Sequence, residues 1–278
     1  MATPPSDQHG LLEQHPVPGL QGRRMLICRP EPEASRLAAA FENAGAEVRT
    51  LPLMAREPLP ETPEQRTVLQ NLDHFTHIIA VSPFAARCLM AAIDRWWPQL
   101  PAGIQWYGVG AGTAAEFQRH GLRPRRPASG WTSEALLALP SLQKLRHERV
   151  LLARGEQGRE LIRQTLTERG AQLTVLPLYR RYQPYYPQEQ INGIFCDFQP
   201  EVIVALSGET LNNLNDICRS DPEPARRALV VVPAERVAEQ ARHAGFHQTL
   251  VPAGLSDEQL IASVAARLNA GLDDTTHG

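Results

Sequence analysis

The stretch Met25–Leu53, MLICRPEPEASRLAAAFENAGAEVRTLPL, returns 125 residues further on as Val150–Leu178, VLLARGEQGRELIRQTLTERGAQLTVLPL, with no gap inside it. The identical pairs are Leu26/Leu151, Arg29/Arg154, Glu31/Glu156, Gly45/Gly170, Ala46/Ala171, Leu51/Leu176, Pro52/Pro177 and Leu53/Leu178. Average composition accounts for roughly two of them. The correspondence runs on, with Ser82 falling on Ser207 and, after a one-residue slip, Gly121 on Gly245, Glu134 on Glu258 and Leu136 on Leu260. Solenoid repeats are several-fold shorter than this period, so the unit repeated is a domain.

Each copy reads as strand, helix, strand. Met25 to Cys28 is a short apolar run, and Glu33 to Asn43 sets Leu37, Ala40, Phe41 and Ala44 at helical spacing before a stop at Gly45. The second copy gives a strand from Val150 to Ala153, a helix carrying Leu161, Ile162 and Leu166, a stop at Gly170 and a strand from Leu173 to Leu176. Both copies close on Leu-Pro-Leu, where the missing proline N–H disfavours a central place in a sheet.

Further pairs follow. His77 to Val81 ends at Ser82-Pro83, as Val202 to Leu206 ends at Ser207-Gly208; Pro83 suits the first turn of a helix. Trp106 to Val109 leads into Gly110-Ala111-Gly112-Thr113, as Leu229 to Val232 leads into Pro233 to Glu235. A fifth strand is expected near Arg123 to Arg126 and near Gln248 to Val251. Each leads to a last amphipathic helix, through Ser133-Glu134 or Ser256-Asp257-Glu258. Strands alternating with helices predict α/β domains with parallel sheets covered on both faces.

A chain of 278 residues supports one large core or two ordinary ones, and the duplication selects two domains with a cleft between them as the ligand site. The formal net charge of −2 supplies no overall field toward nucleic acid or an anionic membrane. Cys28, Cys88, Cys196 and Cys218 are widely spaced, which argues against zinc or a redox pair and fits reduced thiols in the cytoplasm. Residues 1–22 read as a disordered leader and residues 269–278 as a loose tail. No window approaches the roughly 18 consecutive apolar residues of a membrane span, so a soluble cytoplasmic protein is expected.

The common catalytic signatures are missing: no nucleophile elbow, no phosphate loop, no zinc-protease helix. Gly108 to Gly112 lacks the spacing of a dinucleotide fingerprint and starts inside a late strand. His74 and His77 lead into a strand without a carboxylate cluster, and read as surface histidines. What remains is a set of strand ends opening into helix N-termini, at Ser82, Gly110 to Thr113, Gly155 to Gly158 and Ser207-Gly208. In parallel sheets these share the carboxyl edge, where free N–H groups and helix dipoles favour anions. Singly, Ser82, Thr113 and Ser207 are ordinary caps; together they outline a site.

Arg29 and Arg154 occupy equivalent strand ends, with Arg159, Arg180 and Arg181 nearby in sequence, and such groups can pair with a polycarboxylate. Tyr179 follows the second Leu-Pro-Leu, where a phenol can donate a proton to a leaving hydroxyl or pack against the chain crossing. Trp96, Trp97, Trp106 and Trp131 are read as core or cleft lining.

Taken in order, CRP at Cys28–Pro30, VSPFAA at Val81–Ala86, VGAGTA at Val109–Ala114, ARGEQGRELI at Ala153–Ile162, RGAQLTVLPLY at Arg169–Tyr179 and LSGETL at Leu206–Leu211 resemble uroporphyrinogen-III synthase, of the proteobacterial kind, over residues 24–268. The resemblance implies two similar parallel-sheet domains, each of about five strands with flanking helices, joined by a two-stranded antiparallel linker. The implied parts are domain 1 from 23–50 and 183–268, linker segments 51–56 and 173–182, and domain 2 from 57–172. The repeat by itself implies a tandem split near residue 146.

The same resemblance implies cyclisation of linear hydroxymethylbilane to uroporphyrinogen III, with loss of water, inversion of ring D and no metal or organic cofactor. Tyr179 matches the family's proposed proton donor. Ser82, Thr113 and Ser207 match hydroxyl positions at strand ends, and Arg29, Gly110, Arg154, Gly155 and Gly208 complete the expected substrate contacts. The family's Gly-Pro-Thr-Thr turn is replaced here by Pro233-Ala234-Glu235-Arg236, so no hydroxyl contact is transferred there. A monomer is expected, with hydroxymethylbilane synthase as a transient partner and no nucleic-acid or membrane partner. Two other classes stand beside this one: a cytosolic two-lobed protein that binds an anionic ligand without catalysis, and a nucleotide-dependent oxidoreductase.

Overall fold

The computed structural model describes residues 17–273 apart from Ser129, Trp131 and Arg159. Strand β1 (Arg24–Ile27), helix α1 (Glu33–Asn43) and strand β2 (Glu47–Thr50) form the first copy of the repeat. There follow β3 (Ala55–Pro58), α2 (Pro63–Gln70), β4 (His77–Ala80), α3 (Pro83–Ile93), β5 (Gln105–Gly108), α4 (Ala111–Arg119) and α5 (Ser133–Leu137). The second copy is β6 (Arg149–Gly155), α6 (Leu161–Glu168) and β7 (Gln172–Tyr182). Then come α7 (Gln188–Asn192), a π-helical turn (Gly193–Phe198), β8 (Val202–Val204), α8 (Gly208–Ile217), α9 (Glu223–Arg227), β9 (Leu229–Val231), α10 (Glu235–His243), β10 (Gln248–Leu250) and α11 (Asp257–Asp273).

Two compact units result, one from residues up to Ala55 and from Tyr182 onward, the other from Arg56–Arg181. The first holds a five-stranded sheet in the order β10-β9-β8-β1-β2, with each neighbouring pair parallel. Alternate residues along its strands feed two cores. Leu26, Ile203 and Val230 face Leu211 and Leu214 of α8 and Val237 and Ala241 of α10, while Met25, Ile27, Val202 and Val204 face Leu37 and Phe41 of α1 and Leu260 and Val264 of α11.

The second unit has the order β3-β7-β6-β4-β5, with β7, β6, β4 and β5 parallel. Ile78, Ala80, Leu151 and Ala153 pack against Ala86 and Leu89 of α3 and Phe117 of α4. On the other face Ile79, Tyr107, Val150 and Leu152 meet Leu136 and Leu137 of α5 and Ile162 and Leu166 of α6.

Several expectations are corrected. Residues 173–179 of the expected linker lie within the sheet, where β7 pairs with β6, and β7 runs on to Tyr182 with β3 as its other neighbour. Pro177 is accommodated there by a register shift. Arg154 faces Pro177 but the next residue, Gly155, faces Tyr179, so Leu178 is the extra residue of a bulge. The proline's carbonyl still finds a donor, the Gln65 side-chain amide at 2.6 Å. The strand expected at Arg123–Arg126 reduces to one bridge, Arg125 to Tyr107, and the fifth strand of this sheet is β3 instead.

Part of the expected leader and part of the expected tail are ordered. Val17 N–H donates to the Ala44 carbonyl at 3.0 Å, Leu20 is fully buried, and α11 continues to Asp273 with the Asn269 side chain donating to the Pro18 carbonyl. Residues 1–16 and 274–278 lie outside the described residues.

His77 is buried rather than superficial, at 4% exposure, with its Nδ1 3.1 Å from the Tyr107 hydroxyl and its Nε2 3.8 Å from the Glu148 carboxylate. Burial holds its imidazole below the ordinary value of 6.5; Glu148 opposes that shift and Arg125 adds to it. A base whose folded pKa is depressed binds its proton in the unfolded chain first, so its contribution to stability is complete above pH 6.5 and is lost as pH falls below it. The urea midpoint of wild type should therefore drop more steeply between about pH 6.5 and 5 than that of His77→Gln, and parallel curves would remove His77 as the cause.

The repeat's helix-stopping glycines, Gly45 (φ +99°) and Gly170 (φ +89°), adopt left-handed backbone, and a Cβ on Gly170 would sit 3.2 Å from the Arg146 Cα. Gly170→Ala should cost about 1–2 kcal/mol, read as a lower urea midpoint with an unchanged slope.

Candidate functional site

At the carboxyl edge of the second unit's sheet, β4 ends at Ala80 and Ser82 turns the chain into α3. Extended backbone at Ser82 (φ −157°, ψ 162°) lets its Oγ accept from the Ala85 N–H at 3.1 Å. That hydroxyl has a second partner, the Tyr179 hydroxyl at 3.3 Å. Tyr179, 8% exposed, is held from two further sides: its ring meets Phe84 edge-to-face at 5.0 Å, and a Cβ on Gly155 would lie 2.9 Å from its Cζ. Gly155 therefore leaves the slot that the phenol ring fills. The β6–β7 bulge brings the two together, with the Glu156 N–H donating to the Tyr179 carbonyl at 2.7 Å.

Arg154 is 7% exposed, and its guanidinium folds over its own loop. Its Nε donates to the Gly155 carbonyl (3.1 Å), its Nη2 to the Gly158 carbonyl (3.2 Å) and its Nη1 to the Glu160 carboxylate (2.9 Å). Hydrogen bonds from Arg163 and Arg154 hold that carboxyl below the usual range. The geometry is that of a clamp on residues 155–160 rather than an open carboxylate receptor, because a buried cation is retained where its donors are already matched. Gly158, read in the sequence only as part of a strand end, and Glu160, given no role there, complete the clamp; the signal was a carboxylate six residues after a strand-end arginine.

Gly110 caps α4 in extended backbone, and a Cβ on Gly112 would come within 3.2 Å of Pro83 Cγ, so the first turns of α3 and α4 lie side by side. Thr113 is buried, its Cβ 3.1 Å from where a Gly108 side chain would begin. Of the sequence-derived residues, this unit brings together Tyr179, Ser82 and Gly155, and sets Arg154 behind them. Arg180 pairs with Glu57 on β3, and Arg159 and Trp131 lie outside the described residues. Trp106 is buried against Phe117, while Trp96 and Trp97 are half-buried, donating to Glu61 and to the Leu69 carbonyl.

The first unit repeats the cap. Ser207 (φ −159°, ψ 155°) accepts from the Thr210 N–H at 3.0 Å and sits 2.8 Å from the Thr210 hydroxyl. Gly208 opens α8, where a Cβ would meet Gln240 Oε1 at 3.1 Å, and Arg29 is half-buried just past β1. Among the described residues no cluster of three or more histidine, cysteine or acidic side chains is arranged to hold a metal, and no helix is long and apolar enough to cross a membrane.

The model of a known family, described as uroporphyrinogen-III synthase HemD, matches residues 35–262. The chain belongs to the uroporphyrinogen-III synthase family. Its relatives include the uroporphyrinogen-III synthase of Escherichia coli K12, 29% identical over 251 residues that cover 86% of this chain and 99% of the relative. The Proteus mirabilis synthase is 33% identical over 196 residues, covering 68% and 96%. Among solved structures, a mutant uroporphyrinogen III synthase from the extreme thermophile Thermus thermophilus superposes with a TM-score of 0.58 at 19% identity, over 91% of this chain and all of the other. The Helicobacter pylori synthetase gives 0.54 at 15%, over 90% and 99%. These two carry the fold: two five-stranded sheets in an α/β chain.

If Arg154 is a clamp, Arg154→Lys, which keeps the charge and loses the fork, should speed amide hydrogen exchange across residues 156–160 several-fold without any ligand present. Wild-type protection in that variant would return Arg154 to the role of a carboxylate contact.

Proposed function

We propose that this chain cyclises hydroxymethylbilane to uroporphyrinogen III, with loss of water and inversion of ring D, as a cytoplasmic monomer that takes its substrate from hydroxymethylbilane synthase by transient contact. The family match over residues 35–262 carries this reading. The chemistry asks little of a protein. The pyrrole nitrogen expels the hydroxymethyl oxygen once that oxygen is protonated, which leaves an azafulvene electrophile. A pyrrole carbon attacks it, and the proton lost on rearomatisation balances the one delivered to the departing water. No oxidation state changes, so the reading needs neither an oxidant nor a reductant. What remains is to deliver one proton and to hold a flexible chain of four pyrroles so that attack passes through a spiro intermediate.

Tyr179 is our proton donor. The Ser82 oxygen already accepts the Ala85 N–H, so its own proton is available to the Tyr179 oxygen at 3.3 Å. The phenol proton is then directed outward, and the phenolate left behind lies beside the N-terminus of α3, which favours negative charge. Gly155 and Phe84 fix the ring in that attitude. Ser207, Gly208, Gly110 and Arg29 are assigned to the substrate's eight carboxylates, through helix N-termini and charge. Thr113, buried under β5, is assigned to the shape of the α4 turn, and Arg154 to the loop behind the tyrosine.

The test is to supply freshly made hydroxymethylbilane, oxidise the products and separate the type I and type III uroporphyrins. Spontaneous closure gives type I, so a protein-dependent swing to type III is the expected result; type I alone from folded protein would overturn the reading. Tyr179→Phe should lower kcat about 10²-fold with KM within about twofold, as removal of a general acid does. Gly155→Ala, which displaces the ring, should lower kcat similarly with the tyrosine still present.

A further inference from the structure

The second unit carries a depression that no step of the cyclisation uses. It encloses about 550 Å³ and is lined by Pro124, Arg125, Arg126 and Pro127 on one side and by Leu139, Pro140 and Ser141 on the other. It lies beside β5, where Arg125 bridges to Tyr107, and none of Ser82, Gly110, Gly155 or Tyr179 lines it. Three features distinguish it from ordinary surface. Prolines on both sides stiffen the walls, so little ordering is needed when something binds. The backbone of Arg125 is pinned to β5, its N–H donating to the Trp106 carbonyl (2.8 Å) and its carbonyl accepting from the Gly108 N–H (3.0 Å). Arg126 is tied back on its own chain, its Nη1 donating to the Pro127 carbonyl at 3.3 Å.

The charge is lopsided. Segments 121–128 and 139–150 carry Arg123, Arg125, Arg126, Lys144, Arg146 and Arg149 against the single carboxylate of Glu148, in a chain whose net charge is −2. All six of these basic residues are exposed. Glu148 is drawn inward toward His77. Two guanidinium groups on one stiff wall match an anion with two or more oxyanion groups, since Arg125 offers its fork and Arg126 the donors that Pro127 leaves. Ser141 lies across the depression, its hydroxyl engaged with Tyr107. Nucleic acid is the weaker fit, because among the described residues no aromatic side chain lines the depression for a base to stack on.

We propose that this depression is a second anion site, built by Arg125 and Arg126 for a small multivalent anion, a polycarboxylate or a phosphate ester. It is independent of the assignment of Tyr179 and goes beyond the cyclisation.

The experiment is calorimetric titration of the full chain at low ionic strength with citrate and with inorganic pyrophosphate, repeated at about 0.5 M salt and with the Arg125→Gln/Arg126→Gln variant. Binding of at least one probe to wild type is expected, weakened at least about tenfold by the double variant and also by salt, with the type III activity of the variant unchanged. The preferred probe tells a carboxylate ligand from a phosphate one. Should the double variant fail to fold, amide shift perturbation in wild type decides: shifts centred on residues 124–128 and 139–141 support the site, and shifts confined to Ser82, Gly110 and Ser207 overturn it. Absence of binding by both probes, or equal binding by the variant, also overturns it, as does a single-stranded oligonucleotide binding more tightly than either probe.

Discussion

Strands packed on both faces are the constraint from which the rest of this chain follows. In each unit the inner parallel strands bury residues of both parities, Met25 and Ile27 against one core and Leu26 against the other, or Ile79 against one and Ile78 against the other. Helices must then cover both faces, and each must start where a strand ends. That requirement concentrates N-capping serines, glycines and unpaired N–H groups along one edge of each sheet. The same edge is where the phenol of Tyr179, the hydroxyl of Ser82 and the end of α3 come together.

Much of this was legible in the sequence because buried parallel strands are unbroken apolar runs. HIIA, VIV and LVV could hardly be read otherwise, and the spacing of Leu37, Phe41 and their neighbours gave α1 its observed bounds. Elements with little apolar content were not legible. β3 (AREP) is an edge strand whose place depends on β7, and the π-helical turn at Gly193–Phe198 has no local signature. Arg123–Arg126 has the length of a strand, but four residues with three arginines cannot be buried on two faces, and only one bridge forms. Pro177 misled because the rule against proline in a sheet assumes a regular ladder, which the Leu178 bulge breaks.

The site was legible in part. Residues acting through backbone position, such as Ser82, Ser207 and Gly155, were visible from their place at strand ends. Residues whose meaning depends on a partner were not. Arg154 looked like its repeat partner Arg29, yet one is closed over a loop by Gly158 and Glu160, whose places after Arg29 are taken by Glu33 and Ser35. Phe84, given no role in the sequence, holds the phenol. Duplication thus preserves the scaffold while the loops diverge, and the chemistry gathers in what diverged.

The interrupted first unit also has a consequence for how the chain is made. β1 finds its sheet neighbour only when Val202 arrives opposite Met25, whereas Arg56–Arg181 is contiguous and complete much earlier. At ribosomal speeds the gap between making Met25 and making Val202 is on the order of ten to thirty seconds. During it, Met25, Leu26 and Ile27 have β2 for company but not β8, and helix α1 cannot hide both faces of a two-stranded fragment. The second unit can mature on the nascent chain while the first waits as an unfinished apolar edge. This makes roughly the first fifty residues the part of the molecule with the most to gain from a chaperone.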